Sequence, residues 1–278
     1  MARKRIADRT LFITLGVLAL LFLFPILLVF MNSFKTKFSI MGSPFTFPKA
    51  DTFAGLENYV SGIKSAGIAA AFGRSFFITV LSVLILTLLT SMTAWYLVRV
   101  KSGLTKTLYN LFIFSMIVPF QMVMYTMTYV VTKIHFNNPV GIIFVYLGFG
   151  AGLSVFMLSG FIKSIPLELE EAAEIDGCNP VQKFFQIVFP ILKPTAITVT
   201  ILNAMWIWND YLLPYLILGT SNKTLPVAIQ ISMQGAYGSV NWGGFMAMLV
   251  LAILPIIVFY LFCQRYIIEG VIAGAVKG

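Results

Sequence analysis

The sequence predicts an all-α, polytopic integral membrane protein with six transmembrane helices, and two observations lead there. The first is composition: 59% of the 278 residues are hydrophobic and 10% are charged, with a mean hydropathy of +0.93. A soluble domain carries roughly 25% charged residues, so this chain cannot clothe a water-facing surface. The second is the spacing of the apolar runs. A span needs about 20 mostly apolar residues, and six segments meet that length: 11–31, 75–98, 107–132, 140–162, 194–218 and 243–263. Hydrocarbon offers backbone amides no partner, so each is read as a helix. The whole of 1–278 then forms one membrane domain, with no separate soluble one.

The first span follows Arg3, Lys4, Arg5 and Arg9, with no small-residue cleavage site after it, and reads as a retained helix. An even number of spans puts both termini on one face. If that face is cytoplasmic it holds 12 of the 19 basic residues. The positive-inside bias thus explains the net charge of +9 without nucleic acid. Cys178 and Cys263 fall at or near the reducing face, as free thiols. With the lone His135, a loop residue, they supply no disulfide framework and no metal site. Between spans one and two, segment 32–74 is punctuated by Pro, Gly and Asp and reads as an irregular outer cap. Its stretch 66–74 is too short to cross. The other long outer loop, 219–242, either touches an outside partner or only joins two spans.

Segment 163–193, between spans four and five, holds Glu168, Glu170, Glu171, Glu174 and Asp176, five of the ten acidic residues. Ser164 is placed to cap a helix with Pro166 in its first turn. The glutamates then sit near the positive end of the helix dipole. Gly177 is a natural stop. Asn179-Pro180 opens a second short helix, where Gln182 can close a capping box, and Pro190 and Pro194 mark its end. The expected object is a cytoplasmic helix–turn–helix. Ala172 and Ala173 between Glu171 and Glu174 would let a partner approach closely, with carboxylates for charge-assisted bonds. A merely solvated acidic loop, with alanines as helix formers, explains the same residues.

Span five contains the single carboxylate found inside an apolar segment. At helical spacing Asn203, Trp206 and Asp210 share a face that Asn209 borders. Such a face suits a wet cavity where hydroxyls bond and an apolar sugar ring stacks. An anchor at the membrane interface is the competing reading, because Asp210 lies toward the outer end of the span. In span three Pro119 and Gln121 offer a kink. The methionines Met116, Met122, Met124 and Met127 read as packing.

EAAEIDG, followed by Ile187 and Pro190, resembles the EAA loop of permease subunits in binding-protein-dependent ABC importers. WNDYLLPYLIL, TLPVAI and the ending QRYIIEGVIAGAVKG look like the maltose-type sugar branch, so the resemblance covers most of the chain. It implies a sugar importer, with an oligosaccharide as cargo, in a bacterial cell membrane. The pathway is shared with a homologous permease subunit, a heterodimer in the sugar branch. Two cytoplasmic ATPase subunits hold the ATP and Mg, and an exterior sugar-binding protein delivers the cargo. Glu171, Ala172, Ala173, Asp176 and Gly177 are the implied ATPase-docking residues. Gly274, Lys277 and Gly278 are the tail that approaches the ATPases. The chain itself has no G-x-x-x-x-G-K-[ST] phosphate loop, so no cofactor of its own and no enzymatic activity are expected. The alternative is an ion-coupled secondary transporter, which normally carries several intramembrane ionisable residues, whereas here Asp210 stands alone.

Overall fold

A computed structural model of the protein describes residues 2–65, 67–233 and 240–275. Among them the chain is helical, without a strand. It divides into two compact units, 1–70 with 228–255 and 71–227 with 256–278.

In the first unit α1 (Ala2–Asn32) carries the apolar stretch Asp8–Asn32, long enough to cross a membrane. Two short helices follow, α2 (Lys37–Gly42) and α3 (Glu57–Ser65). The connecting chain is held by polar groups turned inward. Lys35 is only 1% exposed, and its Nζ donates to the carbonyls of Ser43 (3.0 Å) and Pro44 (3.4 Å). Burial draws its ammonium pKa below the usual lysine value. The Asn58 amide donates to the carbonyls of Ser33 and Lys35, 2.8 Å each.

Most of the second unit is built from α4 (Ile68–Arg99), α5 (Gly103–Ile117), α6 (Phe120–Lys133) and α7 (Gly141–Ile162), then α8 (Glu168–Ile175) and α9 (Pro180–Lys183). A π-helical turn, Phe184–Val188, leads into α10 (Phe189–Asn209) and α11 (Leu212–Leu218). The helices α12 (Leu225–Met233) and α13 (Trp242–Ala275) each pass from one unit to the other. α7 is the central helix. Its Val155, Leu158 and Ile162 pack with Leu86 of α4 and with Val188, Leu192 and Val199. A Cβ on Gly152 would lie 2.6–2.8 Å from Ser115 Oγ, the Phe112 carbonyl and Met116 Cγ, so α5 reaches α7 only because that position is bare.

Among the described residues five helices are long and apolar enough to span, and α5 with α6 makes a sixth only as one broken span. The single helix expected over 107–132, kinked at Pro119, is instead two helices: α5 and α6 meet at 107°. Pro119 offers no amide proton and forces Val118 into an extended conformation (φ −71°, ψ 115°), so the helix cannot carry on. The span expected at 75–98 starts earlier, at Ile68, and absorbs most of the 66–74 stretch. Span five, expected over 194–218, is broken at Asp210 and begins earlier, at Phe189. Pro190 and Pro194 therefore do not end the second loop helix. Phe189 N–H donates to the Phe184 carbonyl, five residues back, and this widened turn absorbs the missing Pro190 amide so that the helix continues.

His135 lies in the left-handed region (φ 58°) and closes α6. Phe136 N donates to the Val131 carbonyl (2.9 Å) and His135 N to that of Thr132 (3.1 Å). Its place in a loop is thus a helix-ending geometry.

Replacing Gly152 with valine is expected to destabilise the second unit by about 1–3 kcal/mol through overpacking. The readout is the thermal unfolding midpoint in detergent. Gly160→Ala, whose Cβ would point into open space, should not lower that midpoint.

Candidate functional site

The acidic helix–turn–helix forms from short-range rules. Glu168, Glu170 and Glu171 occupy the first turn of α8, near the partial positive charge of its free amides. At the other end Gly177 takes φ 80°; Cys178 N donates to the Ala173 carbonyl (2.9 Å) and Gly177 N to that of Glu174 (3.0 Å). This double closure ends the helix and suits a residue without a Cβ. Asn179 then opens α9 with the expected reciprocal box. Gln182 N donates to Asn179 Oδ1 and Asn179 N to Gln182 Oε1, both at 2.9 Å, with Pro180 in the first turn. Lys183 Nζ meets Glu174 Oε2 at 3.0 Å across the turn.

Ser164 does not cap this helix. Its hydroxyl donates back to the Phe161 carbonyl (2.7 Å), and Leu167, at the N-cap of α8, supplies no side-chain cap. A different group fixes the start of α8. Glu170 is 4% exposed and points into the bundle, where Arg99 Nε donates to its Oε1 (2.7 Å) and Trp95 Nε1 to its Oε2 (2.8 Å). Arg99 also donates to the Ile165 carbonyl (3.0 Å), which fastens the chain just before α8. The indole of Trp95 lies against the Phe184 ring, centroids 5.6 Å apart, where the π-helical turn begins. One carboxylate, one guanidinium and one indole thus tie α8 to the end of α4 and to the foot of α10.

Sequence reasoning missed this latch because Glu170 looked like one of five similar carboxylates and Arg99 like an orientation charge. The sequence offered only the spacing of Glu170 and Ala173, three residues apart on one face of α8; the structure shows both buried. Of the residues expected to dock a partner, Glu171, Ala172, Asp176 and Gly177 are exposed and contiguous, whereas Ala173 is packed inward. Ile175, which the sequence did not single out, is 87% exposed on the same short helix. The tail residues Lys277 and Gly278 lie outside the described residues, and Gly274 is described only as backbone near the end of α13.

The second candidate face is brought together, but against α7. Asn203 is buried; its amide donates to Ser154 Oγ (3.1 Å) and to the Val199 carbonyl (2.9 Å). Trp206 stands edge-on to the Tyr146 ring, centroids 5.4 Å apart, and is partly exposed. Asn209 folds back onto the Met205 carbonyl (2.7 Å). Asp210 interrupts the span and restarts it: its Oδ1 accepts from the amides of Leu212 (3.0 Å) and Leu213 (3.4 Å), and its Oδ2 from the Tyr146 hydroxyl (3.1 Å). The break at 210 is therefore a capped helix start pinned to α7. Trp206 and Asn209 are exposed and Asp210 is half-buried, so these are the groups of this set that can meet a solute.

Glu170→Ala would strand the Arg99 guanidinium in a mostly buried place, and breaking such a pair costs about 3–5 kcal/mol. Thermal unfolding, or protease cutting between Ile165 and Gly177, reads the loss. Glu174→Ala, which removes an exposed carboxylate from its pair with the Lys183 ammonium, is expected to cost under about 1 kcal/mol.

Comparison with known proteins is consistent with this geometry. Residues 87–272 match the family model described as binding-protein-dependent transport system inner membrane component. The chain is 40% identical over 277 residues to the probable starch degradation products transport system permease protein AmyC of Thermoanaerobacterium thermosulfurigenes, covering 99% of each. It is 36% identical over 271 residues to the multiple sugar-binding transport system permease protein MsmG of Streptococcus mutans, covering 96% of each. In fold it resembles a chain of a bacterial ABC transporter involved in import of the acidic polysaccharide alginate, with a TM-score of 0.80 at 21% identity, over 96% of this chain and 98% of that one. By family model and relatives alike, the chain belongs to the inner membrane components of binding-protein-dependent transport systems.

Proposed function

We propose that this chain is the permease subunit of an ABC importer that carries an oligosaccharide into the cell. The observation that carries the coupling part of this reading is the exposed edge Glu171, Ala172, Asp176 and Gly177, presented on a helix that the Glu170–Arg99 pair holds fast. Relatives named for starch degradation products and for multiple sugars support the choice of cargo. In this reading α8 and α9 face the cytoplasm, as do both termini, and the edge of α8 seats in a cleft of an ATPase subunit. ATP and Mg belong to two such ATPase subunits, and this chain catalyses no reaction. A homologous permease subunit completes the pathway as a heterodimer, and an exterior sugar-binding protein delivers the cargo. The tail at Gly274, Lys277 and Gly278 approaches the ATPases.

The mechanism follows from the attachments. A pull on α8 reaches α4 through the buried ion pair and α10 through the continuous backbone of α9 and the π-helical turn. Movement of α10 displaces Trp206, Asn209 and Asp210, the groups that can meet the sugar. Ala173 acts from inside, as packing that sets the height of α8. Nothing favours the ion-coupled alternative, since Asp210 has both oxygens engaged in holding helices.

Reconstitution of the assembled transporter in vesicles tests the reading by uptake of labelled maltooligosaccharide against ATP hydrolysis. Glu171→Ala, or a bulky residue at Ala172 or Gly177, is expected to reduce uptake at least tenfold while the protein still inserts. Normal uptake in all three would remove the docking role. A crosslink from Cys178 to the ATPase subunit is expected, and labelling of Cys178 from outside the cell would invert the orientation. Asp210→Asn keeps the acceptor that caps α11, removes the charge and replaces the oxygen that accepts from Tyr146 with an amide donor. Altered uptake with unchanged assembly would assign Asp210 to the pathway, and unchanged uptake would leave it as an anchor.

A further inference from the structure

The segment after α1 is inside out for a water-facing loop. Its polar side chains are buried: Asn32, Ser33, Lys35 and Asn58 all turn in and bond to neighbouring groups of the same segment. Its large apolar side chains point outward. Phe38 is 84% exposed and Phe47 82%, with Met41, Phe45 and Phe53 also exposed. Single exposed apolar residues are ordinary, but a group of five around a short turn marks a surface with a non-aqueous neighbour.

The loop's position tells what that neighbour is. The stretch Asp8–Asn32 is 25 residues long. A helix of that length rises about 37 Å, against a hydrocarbon core of about 30 Å. Asn32 therefore stands at the edge of the core. The loop cannot rise away from that level. Asn32 Nδ2 donates to the Pro44 carbonyl at 2.9 Å, so the backbone beside Phe45 is drawn back to the end of α1. A second pair, Thr36 N to the Thr52 carbonyl (2.9 Å) and Ala54 N to that of Phe34 (2.8 Å), returns the far side of the loop as well. Lys37 and Lys49 flank the phenylalanines, where a long side chain can keep its ammonium among phosphates while its stem covers apolar surface. Phenylalanines on one side with lysines beside them are the composition of a segment that lies in a membrane interface.

We propose that the α1–α3 connection is an interfacial anchor, with Phe38, Phe45 and Phe47 seated at the boundary between phospholipid headgroups and acyl chains. Lys35 serves this anchor from within: by holding the carbonyls of Ser43 and Pro44 it flattens the turn and satisfies acceptors that lipid cannot. The exterior end of α1 is then held by lipid contact as well as by its own hydrophobic length.

Depth measurement on the assembled transporter tests this without reference to what it carries. Spin labels are placed at Phe38→Cys, Phe45→Cys and Phe47→Cys, with Cys178 and Cys263 replaced by serine. The transporter is reconstituted in vesicles of phosphatidylethanolamine and phosphatidylglycerol. The expected result is collision with oxygen several-fold more frequent than with a water-soluble nickel chelate, with and without the exterior binding protein. Free access of nickel to all three labels would overturn the proposal. Shielding that appears only on adding the binding protein would overturn it in favour of a docking surface. Immobilised labels shielded from both reagents would overturn it in favour of a neighbouring permease subunit. Lys35→Met, which keeps the volume and loses the ammonium, should raise nickel access at position 45 if the flattened turn depends on Lys35; unchanged access would remove Lys35 from the proposal.

Discussion

The buried pair between Glu170 and Arg99 is the constraint on which the functional end of the molecule depends. A helix of eight residues is far too short to persist alone in water. Gly177 closes its far end and the reciprocal Asn179–Gln182 box opens the next helix, but closures of that kind shape a helix without saying where it rests. The ion pair does that. Two charges withdrawn from water are costly unless their remaining bonding capacity is met. Here Trp95 takes the second carboxylate oxygen and the Ile165 carbonyl takes another guanidinium proton, so the pair holds at one geometry. Displacing α8 by even part of a turn would break all three bonds together.

The same economy explains why so few carboxylates serve the chain. One of the five in the loop, Glu170, is spent inward as the latch, and Glu174 bridges the turn. The others lie exposed at the start of α8 or beside its terminal glycine, where water or a partner can meet them. Asp210, the remaining intramembrane acid, is used the same way as Glu170: it closes a helix start and pins it to a neighbour, here Tyr146 of α7. In this chain a buried carboxylate marks a junction between helices. That regularity weighs against reading such residues as proton relays.

How far the sequence disclosed this depends on the range of the interaction. Apolar length led to six spans, of which five are single helices of crossing length among the described residues and the sixth is the bent pair of α5 and α6. The closures of α8 and α9 were legible at residues 177, 179, 180 and 182 because each involves partners within five positions. Interactions between distant segments were not legible. Glu170 and Arg99 lie 71 residues apart, and Tyr146 and Asp210 lie 64 apart, with no local pattern connecting them. Proline misled in both directions. Pro119 suggested a kink and in fact ends a helix, whereas Pro190 suggested an end and is carried through by a π-helical turn. The difference lies in the hydrogen-bond register before the proline, which a sequence does not display. Asn203 shows a further limit: polarity inside a span identified a special residue, yet the special role was to join α10 to Ser154 of α7.

That π-helical turn bears on how movement at α8 is distributed. The route through Glu170 and Arg99 is a side-chain contact, stiff up to the point where its bonds break. The route through α9 into α10 is backbone, and it passes through the one segment where the helical register is already relaxed. A wide turn tolerates small rotations better than the regular helix on either side, because its hydrogen bonds are spaced for a longer repeat. Motion at α8 should therefore arrive at α4 nearly undiminished, and at α10 partly as rotation about the turn beside Phe184. Rotation of α10 is the displacement that matters at its far end. It swings Trp206 relative to Tyr146, while the capped break at Asp210 lets α11 stay where it is. The break and the wide turn bound α10 at its two ends, while the bonds from Asn203 to Ser154 and from Tyr146 to Asp210 keep it fastened to α7.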